Sequence, residues 1–116
     1  MKRILAAAIA VCLCSPAGAT SPLGATTTTA TSTISVTNTF QVALAGNTYR
    51  NACLIQNTGT HTEYVYFGAT GSATTSNAFP ISPGQTISCA TVNGLVLTDI
   101  VNITGTAGDG YIVTSQ

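Results

Sequence analysis

Glycine or proline interrupts this chain every 8 to 12 residues through its C-terminal two thirds, and no window between the interruptions repeats at the helical period. Spans that short, closed by turn residues, suit strands rather than helices. From Thr33 onward Ile34, Val36, Phe40, Val42 and Leu44 fall on even positions, the period-two pattern of a half-buried strand. Turns follow at "AGNT" (45–48), with Gly46-Asn47 as the expected φ > 0 pair, at "NTGTHT" (57–62), at Pro83-Gly84 and at "GTAGDG" (105–110). The loop 68–77 consists almost wholly of small or polar residues. In "VLTDIVNIT" the apolar parity breaks between Ile100 and Ile103, which predicts a bulge or two short strands. The expected fold is all-β, with about seven short strands in one small antiparallel sandwich or barrel, jelly-roll-like or Ig-like if a sandwich.

The N-terminus reads as an export signal. Lys2 and Arg3 precede the apolar run "ILAAAIAVCLC", and Ala17-Gly18-Ala19 supplies the small-x-small site a signal peptidase accepts. The run falls short of the roughly 20 apolar residues that span a bilayer. Val11 and Leu13, before Cys12 and Cys14, lack the small residue a lipobox needs. The expected organisation is therefore a signal peptide over 1–19, a flexible Thr-rich arm over 20–31, and a β-sandwich domain over 32–116. Beyond residue 19, Arg50 is the one strong base and Glu63, Asp99 and Asp109 are the acids, a net charge of 1 − 3 = −2. Such a chain cannot neutralise a run of phosphates, which excludes nucleic acid as a partner. No stable membrane insertion is expected once the signal is removed. So few charges leave the surface poorly defended against self-association, and copies of the chain itself or another surface protein are the expected partners.

Cys53 and Cys89 are the cysteines left after the signal, an even pair in an exported chain, and we expect them to be bonded to each other. Alternation places Cys53 on one face with Ile55, and Cys89 on one face with Ile87, so both sulfurs would enter an apolar layer. A bridge closing a loop of about 37 residues would contribute roughly 3 to 4 kcal/mol.

Cys53, His61 and Glu63 are the residue types of a nucleophilic triad, but an oxidised thiol and a histidine in a solvated turn do not make one. With a single histidine, no metal site and no cofactor are expected. Asp99 and Asp109 stand alone among their neighbours and read as turn caps rather than calcium ligands. "NIT" (102–104) matches a glycosylation sequon. In "EYVYF" Val65 and Phe67 share one face, and Tyr64 and Tyr66 share the other. The tyrosines either pack under a loop or meet a partner. Ile34 and Val36, with Tyr64 and Tyr66, are the candidate interface residues; no catalytic residue is expected.

The succession "YRNACLIQNTGT", "YVYFG", "FPISPGQTIS" over residues 49–88 resembles a small β-sandwich module of bacteriophage virion proteins, of the head-decoration and head-fibre type. The resemblance implies a structural sandwich that assembles. With the export signal, it leads to an exported, non-enzymatic structural protein, secreted or at the cell surface, that self-assembles in a filament, pilus or surface layer. The alternatives are a secreted adhesion or glycan-binding module and a virion surface protein.

Overall fold

The computed structural model describes residues 26–90 and 97–116; the expected signal peptide and the first part of the arm lie outside the described residues. Eight strands form: β1 (Thr28–Thr33), β2 (Gln41–Leu44), β3 (Cys53–Asn57), β4 (Glu63–Phe67), β5 (Phe79–Ile81), β6 (Thr86–Ser88), β7 (Val101–Thr104) and β8 (Gly110–Ser115). They make two four-stranded sheets, β1-β8-β3-β6 (sheet A) and β2-β7-β4-β5 (sheet B), antiparallel throughout. This strand order, with consecutive strands crossing between two sheets, is that of a jelly roll. The all-β sandwich expected from the sequence is present, with eight strands rather than about seven.

Alternation decides what fills the space between the sheets. In sheet A, Cys53 and Ile55 of β3 and Tyr111 and Val113 of β8 face inward and are buried. In sheet B, Val65 of β4 and Val101 and Ile103 of β7 are wholly buried, and Ile81 of β5 nearly so. Cross-strand pairs Ile55–Val113 and Val65–Ile103 stack the two layers. Burying an aliphatic side chain of this size stabilises by about 1.5–3 kcal/mol.

Three local features depart from the simple reading. The alternating run from Thr33 to Leu44 is not one strand: β1 starts at Thr28 and ends at Thr33, and Ser35–Asn38 turn before β2. The parity break lies on the other side of the pair, because the register shift is in β2 between Val42 and Leu44, opposite Asn102 and Val101. Val42 is thereby turned outward, 51% exposed, while Ala43 and Leu44 pack on the core. Positive φ occurs at Asn38, Gly68, Gly84 and Gly108 rather than at Gly46-Asn47, where the Asn47 side chain instead accepts from Tyr49 N–H. The Pro83-Gly84 turn forms as expected: Gln85 N–H donates to Ser82 O, and Gly84 takes φ 78° as the third residue of a type II turn.

Candidate functional site

Each end of the sandwich is locked by one charged side chain. At one end Arg50 is buried, and its guanidinium donates to the carbonyls of Leu97, Asp99 and Ala45, joining the β2–β3 loop to the chain before β7. Burial lowers its pKa, and Asp99 opposes that shift. At the other end Asp109 holds the turn after β3. Its Oδ1 accepts from Thr60 N–H and Oγ1–H, and its Oδ2 from His61 N–H, with His61 Nδ1 at 2.9 Å. The bond from Thr60 N–H is the first cause that holds the Asp109 carboxyl below its ordinary value. Asn57 completes this end, donating to His61 O and Ile81 O and accepting from Gly59 N–H.

This cluster does not have the geometry of a relay. Thr60 Oγ1 and Asp109 both address His61 Nδ1, whereas a hydroxyl–imidazole–carboxylate triad uses opposite ring nitrogens. Cys53 is bonded to Cys89 (Cα–Cα 5.2 Å) and has no thiol to offer. Among the described residues there is no group of three or more His, Cys, Asp or Glu side chains that could hold a metal. Asn102 of the sequon is fully buried, and its amide donates to Gly68 O and accepts from Thr70 Oγ1, so the folded chain has no room for a glycan there.

Glu63, the first residue of β4, is a candidate that the sequence reading weighed only as a member of a triad. It is wholly buried, and neither carboxylate oxygen has a hydrogen-bond partner. Desolvation first, and then the charge of Asp109, raise its pKa from 4.5 to about 7. The signal was available in "EYVYF", where alternation puts Glu63 on the face of Val65 and Phe67. The isolated base Arg50, in a chain nearly free of charge, was a second such signal.

The remaining features concern the edges of the sheets. β1 and β6 border sheet A, and β2 and β5 border sheet B; none of the four carries a charged residue. Every residue of β1 is exposed, although the strand pairs with β8 along its whole length. Its inward-facing Ala30 and Ser32, opposite Val113 and Tyr111, have no cover from sheet B. On the opposite flank β5 and β6 border a groove of about 340 Å³ lined by Phe79, Pro80, Ile81, Gln85, Thr86 and Ile87. Pro80 lacks an N–H, and on an edge strand that gap faces outward, so β5 is blunted against further pairing. β6 has no such guard. The disulfide sits one residue beyond β6 and ties this edge to the interior strand β3, with Cys89 N–H donating to Cys53 O.

The four candidate interface residues are not gathered in one place. Ile34 belongs to the chain's own core at 2% exposure, whereas Val36, in the following turn, is 57% exposed. Tyr64 and Tyr66 are half-buried on the outer face of β4, an interior strand of sheet B. A Cβ at Gly68 would come within 3.1 Å of the Tyr66 ring, so that tyrosine lies against the loop after β4. Sequence reasoning missed Val42, Tyr49, Leu54 and Phe79 as exposed large apolar side chains.

No family model matches the chain, and no curated protein matches it. Among solved structures it is similar to a chain from Bacillus endospore appendages, described as forming a novel family of disulfide-linked pili. The identity is 18% over 78% of this chain and 84% of that one, with a TM-score of 0.45.

Proposed function

We propose that this chain is an exported, non-enzymatic structural subunit that polymerises at the cell surface by adding strand β1 of one copy to the edge β6 of the next. The observation that carries the reading is β1 itself, a six-residue strand exposed on both faces and paired along one side. A strand in that state presents unsatisfied N–H and C=O groups along its free edge, a template for another chain. Sheet direction makes the two ends of the sheet fit. Sheet A has four antiparallel strands, so β1 and β6 run in opposite directions, and a copy displaced sideways offers β1 antiparallel to β6. That contact is heterologous and does not close on itself, which is the geometry of a fibre. The groove beside β6, with Phe79 half-exposed, gives the incoming strand's Ala30 an apolar surface to cover. The disulfide supports an oxidising compartment. Jelly rolls also serve capsids and lectins, so the fold alone chooses no function.

The test is a truncation removing residues 20–33, which spares the buried Ile34. The shortened protein stays folded by circular dichroism and sediments as a monomer at micromolar concentration, while the intact mature chain forms large polymers visible by electron microscopy. Polymers formed equally well without β1 would refute strand addition.

A further inference from the structure

Glu63 has no role in the assembly just described, yet it occupies an unusual place. It is wholly buried at the Asp109 end, and both of its oxygens lack partners. Its Cγ packs on Gly105, where an added Cβ would come within 3.0 Å of it, and Ile34 Cγ1 lies 3.6 Å from that same point. Glu63, Gly105 and Ile34 thus form one stack. Ile34 is the buried residue that anchors the N-terminal segment, since every described residue from 26 to 33 and from 35 to 39 is exposed. Two backbone bonds fix it, Ile34 N–H to Asp109 O and Gly108 N–H to Ile34 O, and Asn38 N–H donates to Gly105 O close by. All three bonds run to the 105–109 loop, against which Glu63 packs.

We propose that Glu63 is a proton-operated latch on the N-terminal strand: protonated, it lets the 105–109 loop close over Ile34, and ionised, it opens that end and releases β1 from β8. A carboxylate without partners in an apolar interior is costly, and the readiest relief is to reach water by displacing Gly105 and Ile34. The central strands, stapled by the disulfide and filled by Ile55, Val65 and Ile103, have no such exit. The ionisable groups on the elements around Glu63 are few. Asp109 lies on the 105–109 loop, with His61 at 2.9 Å from its carboxylate, and Tyr111 on β8 has its hydroxyl bonded by Gln41 Nε2. The segments 34–41, 79–87 and 101–104 carry none. Asp109, held ionised by its four donors, keeps a like charge near Glu63 and sharpens the response. The latch operates within one chain and does not depend on polymerisation.

Hydrogen–deuterium exchange on the intact chain at pH 5.5, 7.0 and 8.5, corrected for intrinsic amide rates, tests this. With the carboxyl shifted from 4.5 to about 7, opening of residues 28–34 should rise on the order of thirtyfold between pH 5.5 and 8.5, while Ile55 and Ile103 amides stay protected. Glu63→Gln and Glu63→Met, two different neutral replacements, should both abolish the rise, and His61→Gln should retain it. If β1 opens no more at pH 8.5 than at 5.5 in the unaltered chain, or opens only together with Ile55 and Ile103, the latch is refuted by the native protein alone. Loss of the response in His61→Gln with retention in the Glu63 variants would move the switch to the imidazole and overturn the assignment.

Discussion

At the scale of single residues, the ionisable groups divide into one that stabilises when charged and one that stabilises when neutral. The Asp109 carboxyl is held below its ordinary value of 3.8, so its contribution is present above that pH and is lost as pH falls through the folded value. Glu63 has the opposite sign. Its folded value is raised, so its contribution is complete below 4.5 and is lost as pH rises through about 7. Thermal melting across pH should therefore peak between about 4 and 5 and decline on the alkaline side; Glu63→Gln should flatten that alkaline decline. Arg50 makes a separate prediction. Its planar fork reaches three carbonyls that a lysine ammonium cannot match from one position. Arg50→Lys should destabilise the fold by roughly 2–4 kcal/mol, measured by denaturant unfolding, since a bond to a charged group is worth about 1.5–3 kcal/mol.

Among elements, the sequence and the structure agree where the controlling interactions are local. The pairing of Cys53 with Ile55 and of Cys89 with Ile87 follows from alternation alone, and Ile55 does lie opposite Ile87 with the disulfide beside them. The Pro83-Gly84 turn is likewise written in two adjacent residues. Long-range geometry was not legible. The bulge that turns Val42 outward is set by the register of β2 against β7, about sixty residues away along the chain. Nothing local to Asn57 and Asn102 predicts their burial, because the carbonyls they bond, such as Ile81 O and Gly68 O, are brought to them only by the fold. The edge β6 shows how far one covalent element matters. It has three strand residues, and the bond from Cys89 to Cys53 holds its end in register. Replacing both cysteines with serine should lower unfolding free energy by about 2–5 kcal/mol and weaken protection of β6 amides more than those of β8.

For the whole molecule, the absence of charge from all four edge strands is the feature with the widest effect. Edge lysines are a common defence against strand addition. Thr31→Lys, at an exposed site on β1, should leave the monomer within about 0.5 kcal/mol of its original stability and still prevent polymerisation, as read by sedimentation velocity. The disulfide bears on the mechanics of such a polymer. Tension along a row of copies enters each one through β1 and leaves through β6, across hydrogen bonds that a sideways pull opens one after another. A three-residue strand would peel away at small force. The covalent link from Cys89 diverts the pull into β3, which is flanked by strands on both sides and seated on the core through Ile55. Fibres stretched in a reducing buffer should therefore part at lower force than oxidised ones, at a break between β6 and β3 within a subunit rather than at the contact between subunits.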